Sequence, residues 1–120
     1  MSLNIRVERG VTVLSNFGRL MNDPKHFDAA ADVADRLDLG EREFVMEMNG
    51  VHETGASFLG LLMTISREIR RRGGDVVLAR PSPAIRRLVL DMQLDDFWDV
   101  FDTLDDAIEF YRRHDDPTVD

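Results

Sequence analysis

Between Glu43 and Ile69 the chain changes its hydrophobic period with only a short polar stretch between the two patterns. Glu43-Phe44-Val45-Met46-Glu47-Met48 alternates like a strand, whereas Phe58, Leu61, Leu62, Ile65 and Ile69 recur at helical spacing. A strand therefore has to end, turn and feed a helix within Asn49-Gly50-Val51-His52-Glu53-Thr54-Gly55-Ala56-Ser57. In an α/β fold such a junction puts polar loop atoms and a helix N-terminus at the carboxyl edge of the sheet, where ligands and partners are met. A functional site is expected there.

The rest of the chain extends the same alternation. Leu3 to Glu8 alternates, Gly10 interrupts it, and Val11 to Phe17 is β-branched and closed by Gly18, which predicts a hairpin. Asn22-Asp23-Pro24 offers a polar cap with proline in the first turn of a helix, with Phe27, Ala30, Ala31, Ala34 and Leu37 inward as far as Gly40. The helix after the junction is expected from about Ser57 to Arg72, where an arginine-rich last turn complements the helix dipole and Gly73-Gly74 stops it. Asp75-Val76-Val77-Leu78-Ala79 reads as a central parallel strand buried on both faces. Ser82-Pro83 supplies a cap and first-turn proline for a third helix with Ile85, Leu88, Val89 and Met92 inward. Phe97 to Phe101 reads as an edge strand with Trp98, and Thr103-Leu104-Asp105-Asp106 as a capping box opening a last helix with Leu104, Ala107, Ile108 and Tyr111 inward.

The predicted order is ββαβαβαβα: an α/β fold with a mixed, largely parallel sheet of four to five strands, about four helices and right-handed crossovers. One domain over residues 1–114 is expected. Residues 115–120 have too few apolar groups to offset their ordering entropy and are expected to fray.

Composition narrows the functional classes. A formal net charge of -8 repels nucleic acid and anionic membrane surfaces at long range. The arginines Arg67, Arg70, Arg71, Arg72, Arg86 and Arg87 are read as a solvated face rather than a phosphate site. The chain has no cysteine, which removes disulfides, thiolate nucleophiles and sulfur-ligated zinc. His26, His52 and His114 lack ligand spacing, so neither metal nor other cofactor is expected. Asp95-Asp96 and Asp105-Asp106 come with no nucleophile or base partner, so no enzyme is expected. No apolar run approaches the roughly 20 residues of a membrane span, and a cytoplasmic location is the expectation.

Several segments, in order, carry a family resemblance: Gly18-Arg19-Leu20-Met21, then Gly50-Val51 followed three residues later by Gly55-Ala56-Ser57-Phe58-Leu59-Gly60. Arg72-Gly73-Gly74-Asp75-Val76-Val77-Leu78, Pro81-Ser82-Pro83-Ala84-Ile85-Arg86 and Phe101-Asp102-Thr103-Leu104-Asp105-Asp106-Ala107 follow. The chain resembles the STAS domain of the anti-sigma factor antagonists over nearly its whole length. Family members carry Gly-x-Leu-Asp where this chain ends in Met21, and Asp-Ser-Ser-Gly-Leu-Gly where it has Gly55 to Gly60.

The resemblance implies a non-enzymatic switch that binds an anti-sigma factor, commonly a serine kinase, and is released by serine phosphorylation. A PP2C-type phosphatase is a further candidate partner. Ser57 stands at the motif's second serine and is the phosphoacceptor implied, while Ala56 fills the first serine position, Gly55 the aspartate and Phe58 the small glycine. Met21, Asp23, Thr54, Gly55, Ala56, Phe58 and Leu59 form the expected docking edge. The purely structural role for Ser57 is a helix N-cap, worth about 1 kcal/mol. The alternative function is a STAS-like scaffold or ligand-binding subunit of a larger signalling or transport complex, never phosphorylated, with Phe58 and Met21 as its apolar contact.

Overall fold

The first two strands, β1 (Asn4–Glu8) and β2 (Val11–Ser15), pair antiparallel with Asn4 opposite Ser15 and Glu8 opposite Val11. Arg9 and Gly10 turn the hairpin at φ 50° and 80°, the two left-handed residues of the tight turn whose twist matches that of paired strands. In the computed structural model, residues 3–20, 28–52 and 55–115 are described. β3 (Glu43–Glu47), β4 (Asp75–Ala79) and β5 (Val100–Phe101) then add in sequence order, each parallel to its predecessor, giving one sheet β1-β2-β3-β4-β5.

A short helical turn, α1 (Phe17–Leu20), and the helix α2 (Ala29–Asp38) lead to β3. α3 (Ala56–Arg71) joins β3 to β4, α4 (Pro83–Asp91) joins β4 to β5, and α5 (Leu104–Asp115) closes the described chain. Each buried strand feeds two cores, because successive side chains leave opposite faces of a sheet. Phe44, Met46, Val76 and Leu78 pack with α2, α3 and α4, whereas Val45, Val77 and Ala79 pack with Ala107, Ile108 and Tyr111 of α5. The Tyr111 hydroxyl donates to the Phe44 carbonyl at 2.9 Å, and burial pushes its pKa up.

The predicted order of strands and main helices is the observed one, with the α1 turn in addition. Helix stops and starts follow local chemistry. α3 ends in a Schellman motif, Gly74 N–H to Ile69 O at 2.9 Å and Gly73 N–H to Arg70 O at 3.1 Å. Gly74 is obligatory: a Cβ there would lie 2.8 Å from the Arg42 carbonyl oxygen. Ser82 Oγ accepts from Ile85 N–H at 3.2 Å with Pro83 in the first turn, and Thr103 Oγ1 accepts from Asp106 N–H at 3.0 Å.

Four details depart from the sequence expectations. β2 stops at Ser15, because Asn16 turns left-handed at φ 74° and Phe17 begins α1. The buried stripe of α2 is Ala29, Val33 and Leu37, not Ala30, Ala31 and Ala34, because the bulkier Val33 takes the inward position. Asn22, Asp23, Pro24 and Phe27, the expected start of that helix, lie outside the described residues. Met92 is 55% exposed rather than inward: α4 ends at Asp91, Gln93 turns left-handed, and Leu94 N–H returns to Val89 O at 2.8 Å, so Leu94 packs on the core instead. The expected strand from Phe97 shrinks to Val100–Phe101, and Trp98 lies 1% exposed in the core, its indole N–H donating to Ser66 Oγ at 2.8 Å. Of the expected frayed tail, Asp115 closes α5 and 116–120 lie outside the described residues.

Candidate functional site

The strand-to-helix junction lies at the carboxyl end of β3, as the change of period predicts. Met48 N–H continues the ladder to Ala79 O at 2.8 Å, and Gly50 reverses the chain at φ 77° with Val51 N–H on Met48 O at 3.0 Å. The polar edge is tied together. Asn49 N–H donates to Glu47 Oε1 at 2.6 Å, and Arg80, just past β4, donates through Nη2 to Asn49 Oδ1 at 3.0 Å. The α1 turn closes on the same loop, where a Cβ on Gly18 would lie 3.6 Å from the Gly50 carbonyl.

Gly55 is the N-cap of α3, at φ -77° and ψ 164°, and contributes no side-chain cap. Ser57 is therefore the second helical residue and not the cap. Capping needs the residue whose backbone is still extended, and that is Gly55. The first hydrogen bond of the helix runs from Leu59 N–H to Gly55 O at 3.1 Å, so the N–H groups of Ala56, Ser57 and Phe58 precede the ladder. Gly55, Ala56 and Ser57 are exposed, and the Ser57 hydroxyl makes no hydrogen bond to a described residue. No acidic residue stands in the first turn of α3.

Phe58 and Leu59 turn the other way. Phe58 is 1% exposed and Leu59 8%, both within the core on the α3 face of the sheet. This corrects the expectation of an aromatic docking contact: the amphipathic phase set by Leu62, Ile65 and Ile69 carries Phe58 inward, where its ring meets Phe17. The exposed residues that open α3 are small, Gly55, Ala56 and Ser57, with the Ser57 hydroxyl as their one polar side-chain group. Met21, Asp23 and Thr54 lie outside the described residues.

The arginines singled out in the sequence are largely engaged. Arg71 pairs with Glu68 at 2.5 Å, Arg72 with Asp38 at 2.6 Å and Arg86 with Asp102, while Arg70 lies 4.5 Å from the Phe97 ring centroid. Asn49 and Arg80 are the site residues that sequence reasoning missed. Their contact joins the ends of two neighbouring strands, and only the register Glu47 opposite Ala79 reveals it. Among the described residues no group of three or more histidines or carboxylates is arranged to hold a metal, and no helix is long and apolar enough to cross a membrane.

A mixed five-stranded sheet in sequence order, with crossover helices on one face and a closing helix on the other, defines an α/β domain class. The STAS domain model matches residues 6–107, and the chain belongs to that family. No curated protein matches the sequence. Among solved structures it is similar to TM1081 of Thermotoga maritima, a candidate anti-sigma factor antagonist, at 21% identity and a TM-score of 0.74, covering 92% of this chain and 95% of that one. An anti-sigma-factor antagonist domain protein of Planctomyces limnophilus is 19% identical at TM-score 0.77, over 93% and 99% of the two chains. The Bacillus cell fate determinant SpoIIAA, solved in its phosphorylated form, is 20% identical at TM-score 0.66, over 92% and 99%.

Proposed function

We propose that this domain is a phosphorylation-controlled anti-sigma factor antagonist. In its unmodified form it docks an anti-sigma factor of the serine kinase type through the surface of Gly55, Ala56 and Ser57, and phosphorylation of Ser57 ends the complex. The observation that carries the reading is the exposed Ser57 hydroxyl in the first turn of α3, unengaged by described neighbours and at the position of the family's second motif serine.

The electrostatics favour a modification that leaves the fold intact. A phosphoryl group carries roughly -1.5 to -2 charge at neutral pH. At the first turn of α3 it meets the positive end of the helix dipole and N–H groups that precede the ladder. A partner seated on Gly55 and Ala56 would instead have to desolvate that dianion and give up the space it fills. The domain keeps its shape while its partner is expelled.

The test is incubation with ATP and a serine kinase of the anti-sigma factor type, followed by mass-spectrometric mapping. Phosphate on Ser57, and loss of kinase binding in Ser57→Asp, are expected. Phosphate confined to another residue, or binding unchanged by Ser57→Asp, overturns the reading.

A further inference from the structure

A concavity whose lining includes no residue of the Ser57 junction lies on the same face of the sheet as α3, between α4 and the β4–β5 edge. β5 has only two residues and α4 stops at Asp91, so the segment between them closes over the flank of β4 incompletely. What is left is a half-open cavity of about 260 Å³. Leu78, Val89, Trp98 and Val100 give it an apolar lining, and Leu90, 62% exposed on α4, stands at it as an unpacked apolar side chain.

The charges around the cavity are unbalanced. Asp95 and Asp99 both line it, both are exposed, and neither side chain pairs with a described residue. Arg86, the cation of the lining, is held by Asp102. The rim therefore presents two uncompensated carboxylates above an apolar lining, on a protein of formal net charge -8. Ligand pockets are built in this way, with apolar walls for affinity and a few polar groups for orientation.

We infer that this cavity is a binding site for a small organic cation, a primary amine carried on a compact aromatic or branched apolar body. The apolar body is buried against Val89 and Trp98 beneath Leu90, and the ammonium reaches Asp95 and Asp99. An anion of the same shape meets the two carboxylates and is rejected. The site requires neither phosphorylation of Ser57 nor a protein partner.

The chain has a single tryptophan, Trp98, and it lines the cavity, so binding has an intrinsic reporter. The full chain is titrated with 2-phenylethylamine while Trp98 emission and backbone amide shifts are followed. A saturable change centred on residues 86–100 is expected, weakened at least tenfold in Asp95→Asn/Asp99→Asn and weakened by added salt. Asp105→Asn, an exposed carboxylate on α5 away from the cavity, is expected to change binding less than twofold. Phenylacetate is expected not to saturate. N-acetyl-lysine methylamide, the same charge on a narrow stem, is expected to bind at least tenfold more weakly, which separates a free ligand from a partner's lysine. Absence of saturation with the amine, amide shifts centred elsewhere, equal binding of phenylacetate or of the lysine derivative, or indifference to the double Asp→Asn change each overturns the inference.

Discussion

Phe17 and Phe58 meet edge to face, with ring centroids 6.5 Å apart and planes at 80°. This contact anchors the first turn of α3 to the α1 turn and so sets the position of Ser57, one residue away. Phe58→Ala is expected to cost about 3–5 kcal/mol in a urea titration. Ala56→Glu, two residues earlier but exposed, should stay within about 0.5 kcal/mol of wild type. If Phe58→Ala melts like wild type, the ring does not hold the site in place.

Ser57→Asp puts a carboxylate where the helix dipole favours an anion, so stability should hold or rise by about 0.3–1 kcal/mol in thermal melts. Partner affinity, measured by calorimetry, should fall at least tenfold. A variant that loses stability would show that the modified helix start is itself strained.

At Gly55 the backbone is ordinary, φ -77°, and an added Cβ meets nothing within 4 Å. Gly55→Asp therefore restores a capping carboxylate at no steric cost and reduces unfolded-chain entropy. A gain of about 0.5–1 kcal/mol is expected by chemical denaturation. Combined with Ser57→Asp the gain should shrink, since two carboxylates then share one helix terminus.

Ser66 is completely buried; its Oγ donates to the Leu62 carbonyl at 2.7 Å and accepts the Trp98 indole N–H at 2.8 Å. Ser66→Ala leaves that N–H buried without an acceptor and should cost about 1–3 kcal/mol. In a double-mutant cycle with Trp98→Phe, the pair should cost less than the sum of the single changes, because the phenylalanine carries no donor to strand.

The Asp32 pKa is raised by burial first, then by Asp35 and Asp28, and its Oδ2 has no hydrogen-bond partner among the described residues. The folded state then holds the Asp32 proton more tightly than the unfolded chain, so this group favours folding when protonated and opposes it once pH rises through the folded pKa. Asp32→Asn is expected to raise the melting temperature at neutral pH. The advantage should fade as pH falls through the carboxylate range. An advantage independent of pH would rule out ionisation as its cause.

Much of the architecture could be read from local patterns. The change of period between Met48 and Phe58, the Ser82-Pro83 cap and the Gly73-Gly74 stop each depend on residues a few positions apart, and all three lie where they were expected. Ser57 was legible as a position in a motif, but its role as second helical residue was not. Which residue caps α3 depends on where the loop backbone turns helical, and Gly55 rather than Ser57 makes that transition.

The misreadings share a cause. Trp98 reads as part of an edge strand because its neighbours suit one, yet it precedes β5, and the acceptor for its N–H lies on α3, 32 residues earlier. Phe58 looked like a docking contact because it replaces a small residue in a family motif, whereas its helical phase and Phe17 take it inside. Sequence by itself determined the element order, the sheet's parallel character and the junction at which Ser57 stands, because these follow from periodicity, caps and stops within a few residues. The tertiary structure alone decided which side chains of that junction face solvent, how Asn49 and Arg80 are joined, and where α4 and β5 leave a cavity. Those depend on registers and contacts between elements distant in the chain, which no local pattern encodes.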